Sequence, residues 1–211
     1  MDKPGKARKP VQKRGMETRA KLMEAAKALF VEKGYYKTNG NEIAAQAGLA
    51  TGTFYRYFNN KKDILVQLVH QFYQQGLEHA LPIMGSVFSG SDDGRKIIHD
   101  LLQAHYVFHI EQKEMHKAAF PLMFLEEDIM ELSRQEDQKV IDVIAAIFTA
   151  NKHLLCVEDV QAAAELTYRT CEAITHCLLL QSEHSGKESL MGELEEMLFK
   201  YLFTESSTPP S

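Results

Sequence analysis

Two groups of residues in this 211-residue chain combine side chains that can do chemistry. The first is Thr51, Gly52, Thr53, Tyr55, Arg56 and Tyr57, followed closely by Lys61 and Lys62. Hydroxyls that bond phosphate oxygens, a glycine that permits close approach and a guanidinium that fits a guanine edge are the parts of a DNA-reading surface. On a helical wheel Phe54 and Phe58 fall together at i and i+4, which makes them anchors toward Ile43 and Ala44 and leaves Gly52, Thr53 and Arg56 on the free face. Lys61 and Lys62 open the next helical stretch, where unpaired amides and the helix dipole favour an anion, so a phosphate contact is expected there. The second group is His105 and His109, also at i and i+4, which could chelate a metal with His116, Cys171 or His176 completing the site. Spacing fixes no third ligand, and such a pair is expected as pocket wall or surface, so no metal and no cofactor is expected. Glu172 and His176 read the same way. There is no Ser-His-Asp order, no Gly-rich phosphate loop and no paired-carboxylate arrangement, and the acidic clusters Glu126-Glu127-Asp128 and Glu136-Asp137 read as solvated. The chain is therefore read as a non-enzyme.

Charge is distributed to suit a phosphate partner at one end. Residues 1–62 hold 14 Lys and Arg against 5 Asp and Glu, a balance of +9, whereas the rest carries −14 within a total of −5. A basic start and an acidic body let one end approach phosphates while the other stays away. Cys156, Cys171 and Cys177 lie in apolar helical context without C-x-x-C spacing and are expected as reduced core thiols. No apolar run reaches bilayer length and the first 15 residues lack the apolar stretch of a secretory signal, so no membrane partner and a cytoplasmic location are expected.

Helices must position these residues. Pro4, Gly5, Pro10 and Gly15 among six Lys and Arg make residues 1–15 a mobile basic arm. Over residues 16–33 Leu22, Met23, Ala26, Leu29 and Phe30 recur at steps of three and four, and Gly34 supplies a stop. Residues 40–47, closed by Gly48, and residues 51–58 read as two short helices around a tight turn, a helix-turn-helix. One long helix follows at 61–80, interrupted by Pro82 and the segment 85–94. Further helices are expected near 95–112, 114–125, 127–152, 157–184 and 187–203, with a disordered tail at 205–211. The fold class is all-α, with about nine helices.

Gly34-Tyr35, Thr38, Glu42-Ile43-Ala44, Ala47-Gly48, Gly52-Thr53-Phe54-Tyr55, Tyr57-Phe58 and Lys61 together resemble the DNA-binding domain of the TetR family of transcriptional regulators. Gly40, where an apolar residue is common, and Ala50, where a hydroxyl residue often caps the recognition helix, depart from the pattern. The resemblance implies that Thr51, Thr53, Tyr55, Arg56, Tyr57 and Lys61 contact double-stranded DNA and that Thr38 holds a phosphate. It also implies an N-terminal helix-turn-helix domain at 16–62 and a C-terminal helical ligand-binding and dimerisation domain at 63–204, whose last two helices pair with their copies in a homodimer. Two-fold symmetry in turn calls for a near-palindromic operator.

Within the body, Tyr106, Met115, Phe120, Met123, Phe124, Phe148 and Tyr168, with His105 and His109, form a composition that suits an adaptable apolar pocket for a small-molecule effector. The expected function is a sequence-specific repressor released from DNA by an apolar or amphipathic ligand. The alternative is a DNA-bound structural or cell-organisation protein of the same fold without an inducer.

Overall fold

The computed structural model describes residues 11–87, 94–180 and 186–203. Its helices are α1 (Val11–Lys33), α2 (Gly40–Gln46), α3 (Thr51–Tyr57), α4 (Lys61–Val87), α5 (Gly94–Glu111), α6 (Lys113–Ala119), α7 (Leu122–Leu125), α8 (Glu127–Ala150), α9 (Val160–Leu180) and α10 (Lys187–Leu202). A 3-10 turn at Lys152–Leu154 and an isolated bridge between Leu155 and Phe203 complete the regular structure of the described residues. Residues 1–10 of the expected arm, 88–93 of the expected break, 181–184 of the expected ninth-helix end and the tail at 205–211 lie outside them.

Four boundaries differ from expectation, each for a local reason. Helix α1 starts at Val11 and runs through Gly15. A mid-helix glycine costs only about 1 kcal/mol relative to alanine, too little to end a helix flanked by good helix formers. Helix α4 continues past Pro82 to Val87; Glu78, whose carbonyl loses its helical donor there, is exposed and can bond water. The expected single helix at 114–125 divides into α6 and α7 at Phe120-Pro121, with Pro121 capping α7. Helix α9 begins at Val160 because the carboxylate of Asp159 accepts the N–H of Ala162 at 3.0 Å, as an N-cap does.

The chain forms two compact units that divide between Leu68 and Val69. In the first, Leu22, Ala26 and Phe30 of α1, Ile43 and Ala44 of α2, Phe54 of α3 and Ile64 and Leu65 of α4 are fully buried together. Each such large side chain removed from water contributes about 1.5–3 kcal/mol. Gly34 (φ 86°) and Gly48 (φ 68°) take the left-handed conformation that closes α1 and turns the chain between α2 and α3. In the second unit α5, α8, α9 and α10 enclose the core, where Ala163 and Ala164 let α9 lie close to α8 while Ile141 and Phe148 fill the space between.

Candidate nucleic-acid interface and candidate effector cavity

Asn39 starts the helix-turn-helix with a capping box. Its Oδ1 accepts the N–H groups of Asn41 (3.0 Å) and Glu42 (3.1 Å), and the Glu42 carboxylate accepts the Asn39 N–H at 3.1 Å. Glu42 also pairs with Lys33 at 2.6 Å, which ties α2 to the end of α1. The Asn-x-x-Glu spacing was readable in the sequence and marks this helix start directly. Gly40 has a steric role: a Cβ there would lie 2.7 Å from Cε1 of Phe54, so this glycine lets the aromatic anchor of α3 pack flat on α2. Phe58, the second anchor, is buried with Arg19 stacked 5.6 Å above its ring.

With those anchors inward, Thr51, Gly52, Tyr55 and Arg56 are exposed and Thr53 and Tyr57 half-exposed on one short helix. The Arg56 guanidinium lies 5.2 Å from the Tyr57 ring centroid, a cation–π contact that holds it on this surface. Ala50 offers no side-chain cap, as its apolar nature requires.

Thr38 and Lys61 are occupied elsewhere. Thr38 is only 2% exposed, and its hydroxyl donates to the carbonyls of Gly34 (3.0 Å) and Leu29 (3.4 Å), fastening the turn after α1. The Lys61 ammonium donates to the carbonyls of Tyr35 (2.7 Å), Thr38 (2.8 Å) and Tyr36 (3.2 Å) and lies 4.3 Å from the Tyr35 ring centroid. The amides of Lys62 and Asp63 are already taken by Oδ1 of Asn60 at 2.8 and 3.1 Å. These contacts give Thr38 and Lys61 a structural role, the lysine serving the turn that positions α2. Lys61→Met is expected to cost about 2 kcal/mol of unfolding free energy in urea, because hydrogen bonds to a charged group contribute about 1.5–3 kcal/mol. The salt dependence of DNA binding should stay unchanged. A slope reduced by about 0.9 would instead place the ammonium on a phosphate.

The second unit holds a cavity of about 170 Å³. Its walls come from Phe72, Tyr73 and Gly76 of α4, Leu101, His105 and Phe108 of α5, Val143 and Phe148 of α8, Tyr168 and Glu172 of α9 and Leu202 of α10, among others. Of the pocket residues expected from sequence, His105, His109, Phe148 and Tyr168 line it. The other five do not. Tyr106 lies beneath the Lys187 ammonium at 3.9 Å, Met115 is buried elsewhere in the unit, Met123 is half-buried, and Phe120 packs on His116 and His176. Phe124 is 73% exposed. Met115 sits on α6, Phe120 at its C-terminal end and Met123 and Phe124 on α7, none of which contributes to the cavity wall, and Tyr106 is on α5. The α4 wall was missed because its apolar residues looked like ordinary core; Gly76 marks it, since a Cβ there would come within 3.3 Å of Phe108.

Beside the cavity, Asp137 of α8 accepts hydroxyls from Tyr73 of α4 (2.8 Å) and Tyr168 of α9 (2.7 Å), and its other oxygen pairs with Arg169 at 2.8 Å. Burial and the neighbouring carboxylates push both phenols well above their ordinary range, so they remain donors. Glu136, 7% exposed, meets His70 at 2.8 Å and Lys139 at 2.6 Å. The Glu136-Asp137 pair expected to be solvated is thus a fastener between helices, with Glu136 buried on the inward face of α8 with Ser133 and Ile141 and Asp137 half-buried beside it. Cys171 lines the cavity with a thiol that burial pushes up to about 12, and Cys177 is half-buried. Cys156 is exposed where a core thiol was expected, since it follows the 3-10 turn rather than lying within a helix.

At the α9 end of the cavity four imidazoles converge. His109 meets His105 with ring centroids 4.3 Å apart, His116 meets His176 at 4.6 Å, and His109 meets His116 at 5.5 Å. Glu172 lies among them, 3.1 Å from His176 Nε2, 3.5 Å from His109 Nε2 and 3.6 Å from His105 Nε2. Burial would raise this carboxyl, but the bonds from His109 and His176 outweigh it and hold Glu172 well below the usual carboxylate range. Burial and the neighbouring imidazoles lower His105 to about 4 and His116 to about 3, so both are neutral at pH 7. The third partner that spacing left open for His105 and His109 is supplied here by α6 and α9.

No described helix is long and apolar enough to cross a membrane. Residues 22–68 match the family described as bacterial regulatory proteins, tetR family, and residues 95–202 match the tetracyclin repressor-like C-terminal domain. A fatty acid metabolism regulator protein of Bacillus subtilis is 42% identical over 57 residues, 27% of this chain and 29% of that protein. The chain spans well under two thirds of the length of the curated relatives it matches first. Among solved structures, a TetR-family regulator of Mesorhizobium loti superposes with a TM-score of 0.75 at 17% identity, covering 90% of this chain and 99% of that one. A complex of SmeT with triclosan superposes with a TM-score of 0.69 at 20% identity, covering 92% and 96%. SmeT is the repressor of a Stenotrophomonas maltophilia multidrug efflux pump.

Proposed function

The chain belongs to the TetR family of DNA-binding transcription regulators, and we propose that it is a homodimeric cytoplasmic repressor, without enzymatic activity, released from a near-palindromic operator by an apolar or amphipathic small molecule. Family members bind DNA operators and small molecules and are generally dimers. One observation carries the reading. Helix α4 is continuous from Lys61, whose ammonium holds the turn before α2, to the stretch from Phe72 to Ala80 that walls the cavity. A ligand pressing on that wall acts on an element rooted in the DNA-reading unit, and it can shift operator affinity only through unequal affinity for two positions of that element.

The cavity chemistry narrows the effector. About 170 Å³ is comparable with the roughly 150 Å³ apolar cavity that accepts benzene in an engineered protein, and smaller than the roughly 300–1,000 Å³ of sites for drug-sized molecules. An effector is therefore a compact apolar molecule, or a longer one that widens the site, with its polar end toward Glu172 and the unpartnered hydroxyl of Thr167. The SmeT complex with triclosan supports a small organic effector in this fold.

Mapping the DNA sites occupied in cells, then measuring affinity for the recovered sequence with and without candidate apolar ligands, tests the reading. Arg56→Ala should relax preference at one base pair per half-site and cost roughly 1–3 kcal/mol there. Equal loss on every sequence would make Arg56 a phosphate contact. Ligands that fill the cavity yet leave operator affinity unchanged would favour a DNA-bound structural protein.

A further inference from the structure

We propose that His109, His116 and His176, with Glu172 as fourth ligand, bind one divalent transition-metal ion of zinc type within the second unit. Among the described residues the Nε2 atom of His116 is buried with no hydrogen-bond partner, and the buried Nε2 atoms of His105, His109 and His176 face only the Glu172 carboxylate, at 3.6, 3.5 and 3.1 Å. A buried nitrogen without a partner is rare in folded proteins and calls for an explanation. Here the four gather at one point: ligand atoms of His109, His116 and His176 all lie within 4.8 Å of one another, as do those of His105, His109 and Glu172. Nitrogens sharing a tetrahedral zinc at about 2.0–2.1 Å stand roughly 3.4 Å apart, so modest side-chain rotations close the site.

The ring of His109 is oriented with Nε2 toward the cluster. Its Nδ1 lies 2.9 Å from the carbonyl oxygen of His105, an atom that only accepts, so Nδ1 carries a hydrogen and Nε2, which faces Glu172, is the atom that would ligate, with a metal displacing any proton there. A backbone carbonyl on the far nitrogen is a common support for metal-bound histidine. Phe72 packs against His109 and His116, and Phe120 stacks on His116 and packs on His176, so apolar rings exclude water from two sides.

Three imidazoles and one carboxylate form a borderline-soft donor set that suits zinc, cobalt, nickel or copper and disfavours magnesium and calcium, which prefer all-oxygen sites. Glu172, shared between His109 and His176, supplies the negative charge that a dication needs in a shielded place. His105, 3.6 Å from the Glu172 carboxylate, positions that ligand from outside. The site shares His109 and Glu172 with the wall of the effector cavity, so metal uptake is measured without effector and operator affinity is measured separately.

The test uses the full untagged chain, stripped with a chelator and desalted. Zinc chloride titrated against a competing chromophoric chelator should show one equivalent bound per protomer. Cobalt(II) should give the intense visible absorption of four-coordinate nitrogen and oxygen ligation. His116→Phe and His176→Phe keep a flat ring in the packing and should each weaken zinc binding on the order of a hundredfold or more, whereas His105→Phe should cost roughly tenfold, as outer partners do. Far-ultraviolet circular dichroism establishes that each variant is folded. No stoichiometric zinc uptake, a six-coordinate cobalt spectrum in the unaltered protein, or equal zinc affinity in folded His116→Phe and His176→Phe variants would each overturn the site. Operator binding measured on the same preparations separates this result from failure of the effector reading.

Discussion

Glutamate at both Leu166 and Met197 is expected to leave each protomer folded but monomeric, and to lower operator affinity by about 10²–10⁴-fold. That range is what is lost when a second binding contact ceases to be intramolecular. Leu166 of α9 and Met197 of α10 are 52% and 47% exposed, so neither supports the protomer core. Leu166 begins a stripe with Thr170, Ala173 and Cys177 at steps of four, three and four, and Met197 stands one turn from the exposed Tyr201. Small and apolar residues at these spacings let a helix approach a copy of itself closely. Light scattering reports the assembly and fluorescence anisotropy the affinity. A double variant that stays dimeric would move the pairing face elsewhere, for which the exposed Phe124 and Leu125 of α7 are the alternative apolar surface.

Ala104→Trp, which directs an indole into the cavity from α5, is expected to abolish effector response while leaving effector-free operator affinity within about twofold. Moving a repressor from 99:1 bound to 1:99 requires about 10⁴-fold discrimination, roughly 5.5 kcal/mol. At about 25 cal/mol per Å² this corresponds to roughly 220 Å² of apolar surface buried in one arrangement and not the other. A compact aromatic molecule buries about that much in total. The effector must therefore spend nearly all its burial energy on the difference between two positions of α4, which a filled cavity prevents. In the unaltered protein, ligand at a hundred times its dissociation constant should stabilise the fold by about 2.7 kcal/mol, read as a raised melting temperature that the variant lacks. A variant that still releases DNA on ligand addition would place the effector outside this cavity.

The sequence by itself determined the all-helical class, the helix-turn-helix and the inward role of Phe54 and Phe58, because each depends on residues within a few turns of one another. Apolar spacing, the stops at Gly34 and Gly48 and the basic first 62 residues are local signals that survive without tertiary context. Contacts made across the chain were not legible. Lys61 looked like a phosphate ligand because its sequence neighbours are a helix start, yet its ammonium meets carbonyls 23 to 26 residues earlier. Glu136 and Asp137 looked solvated because adjacent acids usually are, and only the rotation of α8 against α4 and α9 brought them under His70, Tyr73 and Tyr168. The cavity needed five helices at once, and its α4 wall was indistinguishable from core until Gly76 and Phe108 were seen face to face. His105 and His109 share a face by helical periodicity alone. That His116 and His176 join them was decided by the packing of α6 and α9 on α5, since a helix fixes neighbours three and four residues away while only tertiary packing can select one 60 residues distant.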